Sequence, residues 1–181
     1  MSRWIWDLES NGLLDTIHTI WCIVCRNVDT GEVRKFNPDQ IKDALELLAN
    51  ADEIIGHNII DYDIPAIQIV YPNWTTRAKV TDTLVLSRLI HGDLFNEDAE
   101  RNFSVSKFPK KLWGSHSLKA WGLRLGDFKD DYDGGWEAFS ETMLSYCVTD
   151  TQVTDTLYKK LMKTEPTQKS IDLEHRMASI C

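Results

Sequence analysis

Two carboxylates near the start of the chain are the first residues whose types and spacing indicate chemistry. Asp7 and Glu9 are two residues apart in a segment, residues 4–9, that has the character of a short β-strand, so both side chains point to one side of it. Two acids on one side of an apolar, tryptophan-flanked strand cost free energy unless they are neutralised, and a divalent metal ion would neutralise them. Solvated acids at a strand edge are the alternative, and the D-x-E pattern alone leaves it open.

A second polar group, residues 57–63, directly follows an apolar predicted strand. Strand ends are where α/β proteins place their ligand sites, which makes this segment a candidate source of further metal ligands. The alternative is a polar turn in which Asp61 or Asp63 caps the helix predicted to begin at Ile64. On these residues alone both interpretations stand, and Asp61 and Asp63 compete for the same role.

A third group lies on a long predicted helix, residues 136–162. Tyr146 and Asp150 are four residues apart, so they share one helix face, which continues into apolar residues. A carboxylate on a face that points to the core is unusual and requires a partner. Tyrosine side chains ionise at about pH 10, so Tyr146 would be a poor general base, although its hydroxyl can orient an attacking water molecule. A chance pair on the helix surface is the alternative.

The elements that must position these groups follow from the hydrophobic pattern. Strands are predicted at residues 4–9, 18–28, 32–36, 53–56 and 79–81, and helices from Pro38 onward and at residues 64–70, 83–91, 117–125, 136–162 and 170–181. The helix at 83–91 has Asp82 or Thr81 as its cap, and residues 92–116 are predicted to be irregular. A hairpin followed by alternating strands and helices predicts an α/β fold, a mixed β-sheet flanked by helices on both faces.

Length, charge and cysteine content exclude several classes of protein. The 181 residues suffice for one domain, and without an apolar run of about 18 residues or a signal-peptide cleavage pattern the chain is expected to be intracellular, with no membrane partner. The net charge of −8 argues against non-specific duplex binding through a basic face, but metal ions would offset the charge of a carboxylate site. Cys22 and Cys25 form a lone C-x-x-C in an apolar run, which predicts buried thiols rather than a zinc or redox site.

In this order and on these elements, the three groups resemble the motifs of the four-carboxylate (DEDD) exonuclease superfamily, in its tyrosine subclass. That family has D-x-E on its first strand, N-x(2–3)-[FY]-D after a later strand and Y-x-x-x-D on a late helix. The corresponding residues here are Asp7 and Glu9, then Asn58, Tyr62 and Asp63, then Tyr146 and Asp150. The middle motif of the family favours Asp63 over Asp61.

The resemblance is closer to one branch of this superfamily. Residues 82–91, 114–126 and 172–176 are similar to segments of the proofreading domain of A-family DNA polymerases from short-tailed bacteriophages. The similarity spans nearly the whole chain, with two departures: a shorter acidic loop at 127–136 and the absence of the polymerase part. The resemblance divides the chain into an exonuclease domain, residues 1–165, and a segment 166–181. That segment would be a linker and the start of a helix that leads to, or docks on, a polymerase part.

The resemblance implies a fold and a reaction. The fold would be the ribonuclease-H-like mixed sheet. Asp7, Glu9, Asp63 and Asp150 would bind two divalent cations, Mg²⁺ or Mn²⁺, and Tyr146 would position the nucleophile. The reaction would be hydrolysis of DNA from a 3′ end to 5′-mononucleotides, in proofreading for a polymerase. Asp82 is interpreted as a helix cap, with a supporting role in the site left open.

Substrate contacts are also implied by the resemblance. Leu13 would lie near the terminal base, or be an ordinary buried leucine. His57 and Asn58 would contact substrate, with a turn cap as the alternative for Asn58. Lys111 and His116 belong to a segment, residues 107–116, that interleaves charged and aromatic residues. Such a segment suits a single strand, unless its aromatic rings pack on the core.

The expected partners are single-stranded DNA 3′ ends and a DNA polymerase part, in the same longer chain or as a separate subunit. The expected location is the cytoplasm of an infected bacterial host. The final helix is amphipathic and has no evident partner in the chain. Two other functions remain open at this stage: an RNA-trimming exonuclease of the same superfamily and a catalytically inert docking domain.

Overall fold

A mixed β-sheet forms the centre of the molecule. The computed structural model describes residues 1–101, 108–127 and 132–180. Within them the strands are β1 (Arg3–Ser10), β2 (Ile20–Asn27), β3 (Val33–Phe36), β4 (Glu53–Gly56) and β5 (Lys79–Asp82), arranged in the order β3-β2-β1-β4-β5. The β1–β2 and β2–β3 pairs are antiparallel, whereas β1–β4 and β4–β5 are parallel. The predicted mixed sheet is therefore confirmed.

The helices of the described residues follow the predicted order. They are α1 (Ile41–Ala49), α2 (Asp63–Val70), α3 (Thr83–Ile90), α4 (Leu94–Glu100), α5 (Leu118–Leu125), α6 (Glu141–Met162) and α7 (Gln168–Ala178), with short 3₁₀ turns at Pro38–Gln40 and Lys110–Leu112. Residues at predicted ends act as caps. The Ser117 side chain accepts a hydrogen bond from Ala120 N–H, and Gly126 ends α5 in the left-handed conformation, φ 79°.

The two faces of the sheet are covered by different helices. Trp4, Trp6 and Leu8 of β1 pack on one face with buried residues of α1 and α2. Ile5, between them, packs on the opposite face with Leu157 of α6. Side chains alternate along a strand, so Asp7 and Glu9 lie on the α6 face. The alternation in β1 thus brings the first acidic pair to the helix that carries the third.

The start of the long helix was predicted wrongly. The helix begins at Glu141 rather than Trp136, because the Ser140 side chain caps it by accepting a hydrogen bond from Met143 N–H at 3.0 Å. The Trp136 carbonyl accepts a hydrogen bond from the indole Nε1–H of Trp21 at 2.9 Å. Trp136 is thereby held in the segment before the helix, close to β2.

Part of the segment predicted to be irregular is helical. Helix α4 lies within residues 92–116, where the sequence has no clear period, and its Asp98 is fully buried. The side chain of Asp98 binds Arg124 of α5, a tertiary contact that hydrophobic periodicity does not report. Residues 102–107 of the same predicted segment lie outside the described residues.

The final helix has a partner in this chain, contrary to expectation. Ile171 and His175 of α7 are buried, and α7 packs against α3. The Thr167 side chain caps the helix by accepting a hydrogen bond from Ser170 N–H. The segment that was predicted to be unpartnered is therefore packed on the body of the domain.

Two further predictions concern membranes and thiols. No helix within the described ranges is long and apolar enough to cross a membrane. Cys22 and Cys25 are buried free thiols, as predicted for a core strand. Burial raises the pKa of the Cys25 thiol far above its ordinary value, which keeps it protonated.

Candidate active site

One cleft, of about 260 Å³, brings the three acidic motifs together. Strand β1, helix α2 and helix α6 contribute the five residues expected to be catalytic, and these are Asp7, Glu9, Asp63, Tyr146 and Asp150. His57 and Asn58 also line the cleft, together with Leu8, Tyr62, Leu118 and Trp136. Residues separated by more than 140 positions in the sequence thus face the same small volume.

Asp7 and Glu9 are placed by the central strand of the sheet. Glu9 is only 7% exposed, and β1 pairs with β2 on one side and β4 on the other, so the two acids are not solvated groups at a sheet edge. Carboxylate oxygens of the two residues lie within 4.8 Å of each other. One buried and one half-buried acid at this distance form a donor set suited to a hard divalent cation.

The Sγ atom of Cys147 lies within 4.8 Å of a carboxylate oxygen of each of these two acids. The sequence did not predict this contact. The Sγ–H of Cys147 donates a hydrogen bond to the backbone carbonyl of Asp7 at 3.3 Å. Burial raises the pKa of Cys147 well above its ordinary value, and the neighbouring Cys22 and the charge of Asp7 raise it further. The thiol therefore stays protonated, and its hydrogen bond ties α6 to the backbone of β1.

Asp63 is the first residue of α2 and is 4% exposed. Asp61, its competitor in the sequence, is exposed and lines a different pocket. Burial raises the pKa of Asp63 well above its usual range, and the negative charges of Asp7 and Asp82 raise it further. Hydrogen bonds from backbone N–H groups offset part of this effect. A bound cation would favour the charged form, so the environment of Asp63 fits a metal site.

Tyr146 and Asp150 lie on the face of α6 that points to the sheet. Asp150 is 5% exposed, and Met143 and Val153 on the same helix are fully buried, so the pair is not a surface coincidence. The ring of Tyr146 lies 5.5 Å from the ring of Tyr132, which contacts the ring of Trp136 edge-on at 4.8 Å. The rings of Trp136, Tyr132 and Tyr146 thus form a row of contacts from the segment before α6 to the helix itself.

A second, more apolar pocket of about 430 Å³ adjoins the cleft and shares Leu8, Glu9, Tyr62 and Trp136 with it. Leu13 lines this pocket and is 71% exposed, so it is not an ordinary buried leucine. The Tyr62 hydroxyl donates to the Gly12 carbonyl at 2.7 Å, which holds this wall of the pocket. Trp136 was missed in the sequence because its position depends on the distant Trp21.

His57 and Asn58 occupy the turn that follows β4. Nδ1 of His57 lies 2.9 Å from the Thr83 hydroxyl, which itself donates to the Gly56 carbonyl. Asn58 has a φ of 68°, in the left-handed region that non-glycine residues seldom adopt, and its N–H donates to Asp82 at 2.9 Å. Both residues line the cleft, and their contact with substrate stays a prediction.

Asp82 caps α3, as the sequence predicted, by accepting a hydrogen bond from Leu84 N–H at 2.8 Å. The same carboxylate accepts from the N–H groups of Asn58 and Ile60, at 2.9 and 3.1 Å. Asp82 is 1% exposed. One buried carboxylate therefore joins the turn after β4 to the start of α3.

Lys111 and His116, although described, are not among the residues that line the cleft. Lys111 is exposed, on the 3₁₀ turn. His116 bonds through Nδ1 to the buried hydroxyl of Ser87, which accepts from Trp121 Nε1–H at 3.1 Å. Burial lowers the pKa of His116, and the positive charges of Arg124 and Arg88 lower it further. His116 thus takes part in a packed network.

Of the aromatic residues near His116, Phe108 favours packing over substrate contact, whereas Trp113 is half-buried. Phe108 is fully buried, as the alternative interpretation of the segment 107–116 requires. The ring of Trp113 contacts the Lys110 ammonium group and the ring of Phe95. Residue 107 lies outside the described residues.

Comparison with known proteins agrees with this geometry. Residues 4–162 match the model of a family described as belonging to the RNase H superfamily. The DNA-directed DNA polymerase of Escherichia phage T7 is 36% identical over 183 residues, covering 86% of this chain and 26% of the polymerase. The chain thus spans about a quarter of that relative, and the resemblance to phage polymerases drawn from the motifs is confirmed.

Solved structures share the fold at low sequence identity. A nuclease in its apo form superimposes with a TM-score of 0.66 at 17% identity, covering 98% of this chain and 82% of the nuclease. Brucella melitensis NrnC with bound Mg²⁺ has a TM-score of 0.60 at 14% identity, covering 99% and 83% of the two chains. The family match and the phage relative together establish that the chain belongs to the RNase H superfamily.

Proposed function

We propose that this chain is a metal-dependent 3′→5′ exonuclease that removes nucleotides from DNA ends for a DNA polymerase. The observation that carries the proposal is the convergence of four carboxylates and Tyr146 in one cleft. The membership of the chain in the RNase H superfamily supports the same conclusion. A catalytically inert docking domain is disfavoured, because burying several acids in one cleft is costly unless a cation binds there.

The residues present suit two divalent cations, Mg²⁺ or Mn²⁺. Asp7, Glu9 and Asp150 would hold one ion, and Asp7 and Asp63 would hold the other. Such ions supply positive charge to the phosphodiester and make bound water a stronger nucleophile at neutral pH. Carboxylates are the ligands that Mg²⁺ and Mn²⁺ prefer, and the protonated Cys147 thiol would leave the oxygen set undisturbed.

Tyr146 would orient the attacking water. Its side chain lies on the same face of α6 as Asp150, one turn away, so a water molecule near that carboxylate is within reach of the hydroxyl. The ring is held by Tyr132, whose own hydroxyl donates to the Gly135 carbonyl at 2.9 Å. A fixed ring places the hydroxyl without the entropic cost of ordering it during the reaction.

The apolar pocket beside the cleft would take the terminal nucleotide. Leu13 and Trp136 present apolar surface there, and Tyr62 forms a wall held by its hydrogen bond to Gly12. Bases of any sequence can stack on such surfaces, as proofreading requires. The 3′→5′ polarity is inferred from the resemblance of the three motifs to the four-carboxylate exonuclease superfamily.

The same relative supports DNA as the substrate and a polymerase part as the partner, in the same chain or as a separate subunit. We propose that residues 1–165 form the exonuclease domain, on which α7 packs as a C-terminal extension. We also propose that the protein acts in the cytoplasm of an infected bacterial host, since the relative is encoded by an Escherichia phage.

The test is cleavage of a 5′-labelled single-stranded DNA oligonucleotide with Mg²⁺, with Mn²⁺ and with EDTA. We expect a ladder that shortens from the 3′ end, is lost with EDTA and is lost in Asp7→Ala and Asp150→Ala. Asp61→Ala is the matched control, because Asp61 is an exposed acid outside the cleft. Cleavage of RNA but not of DNA would favour the RNA-trimming function. Retention of more than a few percent of activity in both cleft variants would contradict the assignment.

A further inference from the structure

Helix α7 contributes a buried histidine to the region beside the cleft. His175 is 8% exposed, and both ring nitrogens are bonded to backbone groups. Nδ1 lies 2.8 Å from the carbonyl of Ile171, and Nε2 lies 2.7 Å from the backbone nitrogen of Asp82. A carbonyl only accepts and a backbone N–H only donates, so the ring is neutral, with its proton on Nδ1.

The residue that His175 contacts organises the turn after β4. The carboxylate of Asp82 accepts from three N–H groups, those of Asn58, Ile60 and Leu84, while its own N–H donates to His175. Asp82 therefore has both its backbone and its side chain engaged. A substitution that removes the imidazole of His175 would leave the buried N–H of Asp82 without an acceptor. Because an unpaired buried N–H costs free energy, the junction of β5 and α3 would shift to expose or re-pair it.

The turn after β4 has a strained backbone that needs contacts from the surrounding residues. Asn58 has a positive φ of 68°, and a non-glycine residue in this region is disfavoured unless its surroundings hold it. A Cβ on Gly56 would lie 2.2 Å from the Ile59 side chain, so the turn is tightly packed at its start. The turn carries His57 and Asn58 into the cleft and leads directly to Asp63.

We propose that His175 is a positioning residue for the cleft, acting through Asp82 on the turn that presents Asn58 and Asp63. Helix α7 would then help to position the cleft, in addition to any role as a linker toward a polymerase part. The catalytic consequence rests on the proposed function, whereas the structural link from His175 to the turn does not.

The link is tested first by hydrogen exchange of backbone amides, which needs no activity. In His175→Ala we expect the amides of Asn58, Ile60 and Asp82 to exchange at least roughly tenfold faster, the change that about 1.4 kcal/mol of lost protection produces. Leu173→Ala is the control, since Leu173 lies on the same helix and is 53% exposed. Ile171→Ala is a second control that loosens the packing of α7 but keeps the imidazole.

Two conservative variants separate the roles of the ring nitrogens. Gln at position 175 can place an acceptor near the position of Nε2, whereas Asn reaches only the position of Nδ1. We therefore expect His175→Gln to restore slow exchange in the turn and His175→Asn to leave it fast. Equal exchange in the turn for His175→Ala and the wild type would overturn the proposal, as would equal effects of Asn and Gln.

Kinetics supply the second readout. In His175→Ala we expect kcat to fall roughly ten- to a hundredfold, because displacing a catalytic group by about 1 Å has effects of that size. Rescue by Gln, with Ile171→Ala active below its unfolding temperature, would support positioning. If all position-175 variants cleave like the wild type, His175 only packs. If the wild type cleaves nothing, the proposed function fails, while the exchange result still decides the link.

Discussion

Arg124 of α5 and Asp98 of α4 form a buried ion pair. Nε and Nη2 of the guanidinium donate to the two carboxylate oxygens at 2.9 and 2.7 Å, and the two side chains are 1% and 0% exposed. The carboxylate also accepts from the N–H of Gly114, at 2.9 Å. The pair thus ties α4 and the residues before α5 to a helix that packs on α6.

Removal of one partner of this pair should destabilise the protein strongly. Arg124→Leu would leave Asp98 buried without its counter-ion, and we expect a loss of about 3–5 kcal/mol in the free energy of unfolding. Urea unfolding at pH 7 measures this loss. Arg34→Leu is the matched control, because Arg34 pairs with Glu32 at the surface, where such pairs contribute only about 0–1 kcal/mol. Similar losses in both variants would argue against a special role of the buried pair.

The same pair predicts a dependence of stability on pH. Burial alone would raise the pKa of Asp98, but the hydrogen bonds from Arg124 and Gly114 outweigh it and leave the pKa below its usual range. The contribution of Asp98 to the free energy of unfolding is therefore fully present above its pKa in the unfolded chain, about 3.9. It is lost as pH falls through the lower pKa of the folded state. Urea unfolding of the wild type minus that of Asp98→Asn should show this decline below pH 4. A difference that is constant with pH would refute it.

Without metal, Asp63 should lower the free energy of unfolding as pH rises, which is the opposite of the effect of Asp98. The pKa of Asp63 is raised by burial and by Asp7 and Asp82, so its contribution is fully present below the unfolded pKa, about 3.9, and is lost as pH rises through the folded value. In EDTA at pH 7 we expect Asp63→Asn to be more stable than the wild type. Thermal unfolding from pH 4 to 8 measures this, with Asp61→Asn, an exposed acid of the same turn, as the control.

With Mg²⁺ present, the wild type should become more stable than Asp63→Asn. A ligand at a hundredfold excess over its Kd stabilises the folded state by about 2.7 kcal/mol if it does not bind the unfolded chain. We expect the wild type to gain stability of this order with Mg²⁺ and Asp63→Asn to gain much less. If Mg²⁺ stabilised both proteins equally, Asp63 would not be a metal ligand.

Much of this site could be predicted from local sequence, because its acids follow the periods of their elements. Asp7 and Glu9 follow the two-residue period of a strand, and Tyr146 and Asp150 the four-residue spacing of a helix. The choice of Asp63 over Asp61 required the family motif, since an acid that caps a helix and an acid that lines a cleft look alike in the sequence of a turn.

The remaining features depend on contacts between residues far apart in the chain. Trp136 is held by a hydrogen bond from Trp21, 115 residues away, and was therefore assigned to the helix that follows it. The Asp82–His175 contact spans 93 residues. Helix α4 has no clear hydrophobic period, because one of its two buried residues is the charged Asp98 and only the other, Leu94, is apolar. Propensity and periodicity report none of these contacts.

Tyr146→Phe should reduce turnover more than binding. The ring would keep its contact with Tyr132, so only the hydroxyl, the group proposed to orient water, is lost. We expect kcat to fall by roughly tenfold or more, the lower end of losses seen for groups that assist proton transfer or orientation, with KM little changed. Steady-state cleavage of labelled DNA measures both constants. Ser145→Ala, an exposed neighbour on the same helix, should leave them unchanged. An unchanged kcat in Tyr146→Phe would show that water is oriented by other groups.

Trp136→Ala and Leu13→Ala should weaken binding of the terminal nucleotide. Trp136 is 40% exposed and Leu13 71% exposed at the pocket beside the carboxylates, so both would present apolar surface to the base proposed to bind there. Loss of a stacking ring costs about 1–3 kcal/mol per base, which predicts a rise in KM of roughly five- to a hundredfold for Trp136→Ala and a smaller rise for Leu13→Ala. Phe95→Ala, an exposed aromatic outside both pockets, is the control. KM measured on oligonucleotides that end in a normal or an abasic nucleotide separates stacking from structural damage. The Trp136→Ala defect should disappear on the abasic end, and a defect equal on both ends would mean that Trp136 supports the cleft rather than the base.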